Sequence, residues 1–218
     1  MSATVCWAVK GGSGTTVVAA CSALTNPVVR LLVDLDGDQP SVLGLPEPAG
    51  QGLGDWFATD LPGRAIEDLG VELDATTRLV PRGPAPIPAD SPRWAELAEW
   101  LATTPFDVVV DAGTGDLHPA LAAGRAGTTL VLVTRPCYLG LRRAARACPR
   151  PDGVVLVDEP GRALRPRDVE HSIGAAVLAT LALDPAVARA VDAGLLVSRI
   201  PRVVARSLRL SGPPVARR

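Results

Sequence analysis

The chain has 218 residues, 47% of them hydrophobic and 21% charged, enough apolar material to bury a sizeable core, which excludes wholesale disorder. The formal net charge is −1 and aromatic residues make up only 3%. There is therefore no global basic field to draw the chain to DNA or anionic lipid, and few stacking platforms for single-stranded nucleic acid.

Taken in chain order, short β-branched runs alternate with Ala-, Leu- and Arg-rich stretches. The sequence predicts strands at Thr4–Val9, Val29–Asp34, Asp107–Asp111, Thr128–Thr134 and Gly153–Val157, and a weaker one at Val177–Leu181. Several are apolar at consecutive positions, the pattern of strands covered on both faces. Helical patterns fall near 15–25, 91–103, 138–147 and 184–191. Such alternation predicts an α/β three-layer sandwich, a mostly parallel sheet with helices on both faces. Residues 44–90 are richer in Pro and Gly and read as surface loops around a small helix near Gly54–Ala58. The length fits one domain over residues 1–218, with a basic segment at about 199–218.

Four cysteines, Cys6, Cys21, Cys137 and Cys148, show no metal-ligand spacing and read as free thiols of a reducing compartment. No secretory leader pattern and no run of about 18 apolar residues is seen. The expectation is a cytoplasmic protein, peripheral to a membrane or cell pole at most.

The basic residues are 21 Arg and a single Lys, Lys10. That lysine opens Lys10-Gly11-Gly12-Ser13-Gly14-Thr15-Thr16, between a predicted strand and a predicted helix. Glycines there let backbone N–H groups turn toward an anion, and the helix N-terminus adds partial positive charge. A hydroxyl at the place of Thr16 can ligate Mg²⁺. Two other predicted strands end in carboxylates, Asp34 with Asp36 and Asp38 beyond it, and Asp111. In an open parallel sheet all of these meet at one edge. Carboxylates beside a phosphate loop make sense with a divalent cation between them or a water to orient.

These motifs resemble the ParA/MinD family of deviant Walker A ATPases, whose loop runs K-G-G-x-G-K-[ST]-T. The resemblance spans Thr4 to about Leu210. DLDGDQPSVLGLPEP, VLVDEPGRAL and VDAGLL resemble most the CpaE/TadZ-like branch, linked to Tad pilus assembly. The resemblance implies a P-loop NTPase fold, ATP and Mg²⁺ as cofactors, and a homodimer. It implies that Lys10 reaches across the dimer to the partner's nucleotide, that Gly11, Gly12, Ser13, Gly14, Thr15 and Thr16 form the phosphate loop, and that Asp36 helps position the attacking water. Thr16, Asp111 and Asp34 become the Mg²⁺ residues, Asp34 lying just behind Asp36. The chain departs from the pattern at Thr15, where the family has its second lysine. A neutral hydroxyl there brings no charge to the phosphates, so weak binding of ATP, slow or absent hydrolysis, or both are expected.

The rival readings are a scaffold that works without nucleotide, a partition protein that binds DNA through arginines, and a ligase of the CobQ/dethiobiotin type, for which no substrate residues are evident. Asp158, at the end of a predicted strand, either accepts from an adenine amino group or caps the following turn. After Asp192 the chain carries Arg199, Arg202, Arg206, Arg209, Arg217 and Arg218 and no acid. The first four share one helical face, with Ile200, Val203, Val204, Leu208 and Leu210 on an apolar side. A last helix packed on the domain is preferred to a membrane or nucleic-acid contact. Arg135, Arg142, Arg143, Arg146 and Arg150 read as a solvated face rather than a partner or DNA surface. His118 and His171 have no chemical partner in view. Trp7 and Trp100 read as packing, and Trp56 as exposed.

Overall fold

The computed structural model describes residues 2–46, 50–123 and 127–204. Eight strands form one sheet in the order β3-β4-β2-β5-β1-β6-β7-β8. They are β1 (Ala3–Ala8), β2 (Val29–Asp34), β3 (Val71–Glu72), β4 (Arg78–Val80), β5 (Asp107–Thr114), β6 (Thr128–Thr134), β7 (Gly153–Asp158) and β8 (Val177–Ala182). All neighbours are parallel except the short β3, which runs antiparallel to β4. The expected mostly parallel α/β sandwich is present.

The helices are α1 (Thr15–Thr25), α2 (Gln39–Leu43), α3 (Leu53–Phe57), α4 (Arg93–Thr103), α5 (Pro119–Ala123), α6 (Tyr138–Ala144), α7 (Pro166–Ile173), α8 (Pro185–Asp192) and α9 (Leu196–Val203). Their ends follow local chemistry. Pro at the first turn starts α7 and α8, where its missing N–H costs nothing, and the Asp184 carboxylate accepts from Ala186 N–H at 2.7 Å. Gly44 and Gly174 end α2 and α7 in the left-handed conformation.

Period-two alternation divides the strand residues between two cores. Val5, Trp7, Val108, Val110, Leu130, Leu132, Val154 and Leu156 pack with α3 to α7 on one face. Cys6, Val109, Val131, Val133, Val155 and Val157 pack with α1, α2, α8 and α9 on the other. This explains the unbroken apolar runs: both sides of each central strand are dry.

The sequence reading passes over α2, α5, β3, β4 and a 3-10 segment at Gly63–Leu69, while α9 overlaps the start of the basic tail, where a last helix is expected. Trp56 is corrected. It is 2% exposed, set edge-on to Phe57 with ring centroids 5.2 Å apart, and covered by the Arg93 guanidinium 3.8 Å from its ring centroid. The apolar burial of an indole outweighs the polar composition around it. Of the basic tail, Arg206, Arg209, Arg217, Arg218, Leu208 and Leu210 lie outside the described residues, as do the side chains of Ile200, Arg202 and Val203. Arg199 is exposed on α9 and Val204 is buried. No helix among the described residues is long and apolar enough to cross a membrane.

Candidate functional site

From β1 the chain moves out to one side of the sheet and later returns to the other. The loop after β1 therefore sits where the connectivity reverses, the usual place for a ligand crevice. In that loop Gly12 (φ +74) and Gly14 (φ +91) occupy a conformation that side chains strain. A Cβ on Gly11 or Gly12 would meet nothing within 4 Å, so this side of the loop is open. The Ser13 hydroxyl donates to the Lys10 carbonyl at 2.7 Å and closes the turn. Gly14 carbonyl accepts from Val18 N–H at 2.9 Å and starts α1, which has no side-chain cap. The N–H groups of its first turn are left without helical acceptors. Lys10 is half-buried, its ammonium donating to Gly11 carbonyl at 3.3 Å.

The carboxylates arrive at the same edge. Register sets Asp34 beside Asp111 on neighbouring strands β2 and β5. Asp34 is fully buried, and its oxygens accept from the N–H groups of Asp36, Gly37 and Gln39 at 3.1, 2.7 and 3.2 Å. Burial pushes its carboxyl up to about 7, with Asp111 adding to the rise and those three N–H groups opposing it. Asp111 is also fully buried. It accepts from Gly113 N–H at 3.1 Å, from the Gln39 amide at 2.9 Å and from the Thr16 hydroxyl. Burial, with a smaller push from Asp36, raises it to about 6 against those hydrogen bonds. Asp36 is exposed and lies over Gly113, where a Cβ would stand 2.3 Å from the carboxyl carbon. Its carboxyl is raised by partial burial and by Asp38, against the pull of Arg82.

The structure thus brings Lys10 to Thr16, Asp34, Asp36 and Asp111 to one edge. It adds Gln39, which sequence reasoning missed. This fully buried amide ties the Thr16 carbonyl, at 3.0 Å, to Asp111. Its partner is 72 residues away, and only its place behind the Asp34–Asp38 run hinted at a role. A second missed feature is a hollow of about 260 Å³ beside Gly14, lined by Val17, Val157, Leu181, Val187 and Arg135.

Other candidates settle differently. Asp158 is exposed, and the turn after it is closed by Arg162 N–H on the Glu159 carbonyl. His118 is stacked on Trp94 at 4.3 Å. Its Nδ1 accepts from Ala120 N–H at 3.2 Å, which leaves Nε2–H to donate to the Ala89 carbonyl at 3.1 Å. His171 is exposed on α7, as are Arg142, Arg143, Arg146 and Arg150 after β6. Cys6 and Cys21 are buried, Cys137 is half-buried and Cys148 exposed, all as free thiols. Burial pushes Cys21 up to about 12 and Cys6 higher still.

The donor set fits a phosphate-bearing ligand with a hard cation. The open glycine loop and uncapped helix offer N–H groups to an anion. Two buried polar atoms, Thr15 Oγ1 and Gln39 Oε1, have no hydrogen-bond partner, as expected where a ligand completes the site. Thr16 and Asp111 present oxygen ligands suited to Mg²⁺. Among the described residues no group of three His, Cys, Asp or Glu side chains is placed to hold a metal alone. A cation here would take the rest of its shell from phosphate and water.

Sheet order, glycine loop and strand-end carboxylates define a P-loop NTPase fold of the MinD/ParA type. Solved structures agree. MinD of Pyrococcus horikoshii OT3, complexed with Mg-ADP, superposes with a TM-score of 0.72 over 94% of both chains at 21% identity. A ParA family ATPase from Chlorobium tepidum TLS gives 0.72 over 94% of this chain and 96% of its own at 19% identity. The MinC:MinD cell division complex of Aquifex aeolicus gives 0.72 over 100% and 99% at 17% identity. At these identities the likeness is one of fold. No protein-family model and no curated protein sequence matches the chain.

Proposed function

We propose that this chain is a nucleotide-dependent switch of the ParA/MinD type, closest to the CpaE/TadZ-like branch, that dimerises on Mg²⁺-ATP and positions other machinery, with a Tad-like pilus or secretion apparatus as its setting. The observation that carries the reading is the convergence of Lys10, the open glycine loop, Thr16, Asp36 and Asp111 at one sheet edge. Bound Mg²⁺-ATP would supply a polyphosphate whose charge the loop N–H groups and the cation offset. Gly11 to Thr16 hold the phosphates, and Thr16 with Asp111 hold Mg²⁺. Asp34, occupied by three backbone N–H groups, fixes the Asp36 loop behind them. Asp36 is free to orient water. Lys10, the chain's sole lysine, reaches a nucleotide held by a second copy. The apolar hollow beside Gly14 gives the base a seat. Nucleotide drives dimerisation because it binds the dimer more tightly than the monomer.

Thr15 sets the limit of the chemistry. It is 5% exposed and its hydroxyl is unpartnered, where the family's lysine would bring a positive charge. We therefore assign hydrolysis that is slow or absent. The same residue favours the second reading, a scaffold that pairs through protein contacts without nucleotide.

The test is calorimetric titration with Mg²⁺-ATP while light scattering follows mass, with Lys10→Ala in parallel. Heat of binding and a dimer lost in Lys10→Ala support the switch. Neither heat nor mass change at millimolar ATP overturns it and leaves the scaffold.

A further inference from the structure

The Asp36 loop has a second wall. On the face of the sheet that carries α3 to α7, opposite α1, a hollow of about 890 Å³ opens beside it. None of the residues from Lys10 to Thr16 lines it. Its floor is apolar and belongs to the core: Leu35, Ile87, Trp94, Ala112, Leu117 and Leu121. A space of that size holds roughly 30 waters at their liquid volume and falls within the range of small-molecule pockets. Water against an apolar floor is displaced at a gain by an apolar body.

The polar groups choose the sign of the head. Arg82 and Arg146 both line the hollow. Arg82 gives one N–H to the Asp36 carbonyl at 3.0 Å, but its Nε is buried with no acceptor. That atom is closed to solvent, so an acceptor in the hollow would meet the outer guanidinium N–H groups, of which only the one on the Asp36 carbonyl is partnered among the described residues. Arg146 is exposed and its guanidinium has no hydrogen bond or ion pair among the described residues. Of the two acids present, Asp36 is already offset by Arg82. Asp116 is exposed at the rim, where water screens it; the lining sums to zero charge, so guanidinium donors rather than a net field would hold the head, and a polyanion would be opposed.

We propose that this hollow is a binding site for a small amphiphilic monoanion, an organic carboxylate or sulfonate with an apolar body, seated on the Leu35–Trp94–Leu121 floor with its head at Arg82 and Arg146. Because Asp36 belongs both to this wall and to the phosphate-loop edge, occupancy here and the setting of the Asp36 loop are thermodynamically linked, each biasing the other equally. The binding itself does not depend on the nucleotide reading and is tested without nucleotide.

The full chain, free of metal and nucleotide, is titrated with 8-anilinonaphthalene-1-sulfonate and followed by its fluorescence. One probe per chain is expected. Octanoate should displace it, whereas octylammonium and inorganic phosphate should not. Arg146→Glu should weaken the probe roughly tenfold, the worth of one charge-assisted contact. Ala89→Trp, at the exposed rim, should obstruct the mouth, with both variants melting cooperatively as the parent does. Unchanged affinity in both variants, or displacement by octylammonium as readily as by octanoate, overturns the proposal. So does affinity that falls as protein concentration rises, which would assign the hollow to a second copy of the chain.

Discussion

Gly44 and Gly12 form a matched pair for measuring what one backbone contact contributes. Their φ angles are +73 and +74, so replacing either by alanine carries the same left-handed strain, about 1–2 kcal/mol. Their surroundings differ. A Cβ on Gly12 meets nothing within 4 Å, while one on Gly44 would lie 2.2 Å from the carbonyl oxygen of Gly194 and 2.5 Å from its Cα. Those are backbone atoms and cannot swing aside. An ordinary contact needs about 3.5 Å, so the turn between α8 and α9 must retreat by more than about 1 Å. Leu43, Ala190 and Leu196 share one buried layer there, and loosening it forfeits part of the packing of a buried leucine, about 2 kcal/mol. Gly44→Ala should therefore lose about 3–4 kcal/mol and Gly12→Ala about 1–2 kcal/mol. Urea denaturation followed by far-ultraviolet circular dichroism, without nucleotide or metal, measures both. Equal losses, within about 0.5 kcal/mol, would refute the reasoning.

Asp34 and Asp111, raised to about 7 and about 6 from 3.8, bind protons more tightly folded than unfolded. Their contribution is complete below about pH 4 and is lost as pH climbs through 6 and 7. In EDTA the melting temperature should fall between pH 5.5 and 7.5, less steeply in Asp111→Asn; a rise across that window in a thermal scan contradicts the assignment. Gln39→Ala removes two hydrogen bonds, one of them buried and to a carboxylate, and should cost about 2 kcal/mol in chemical denaturation; a loss below about 0.5 kcal/mol would show the amide to be idle. Thr15→Lys restores a charge in place of an unpartnered hydroxyl and should tighten Mg²⁺-ATP about tenfold by calorimetry. Unchanged affinity would mean that the loop no longer presents this position to phosphate.

Much of the site was legible because its chemistry is local. Lys10 to Thr16 is contiguous, and Asp34 and Asp111 each close a run of apolar residues that reads as a buried strand. Gln39, Arg82 and Gly44 were not legible, because each draws its meaning from a residue distant in sequence: Asp111, Asp36 and Gly194. β4 has three residues and β3 two, too few for a period to show, so the Gly44–Asp90 region concealed a sheet edge. Trp56 was misread because polarity around it described its neighbours in sequence, while Arg93, distant in sequence, covers its ring. α2 and α5 went unseen because five residues each are too few for a helical period to show.

The division into two cores also divides the chain optically. All four tryptophans, Trp7, Trp56, Trp94 and Trp100, belong to the layer built with α3 to α7, and none belongs to the layer built with α1, α2, α8 and α9. Native emission is thus a one-sided gauge. It registers events around the Asp36 wall and the α4 layer, while rearrangement of α1 or of α9 passes without colour. A tryptophan placed at Val187, beside the hollow next to Gly14, would give the dark half a signal of its own. The two faces could then be timed separately as the chain folds or takes a ligand.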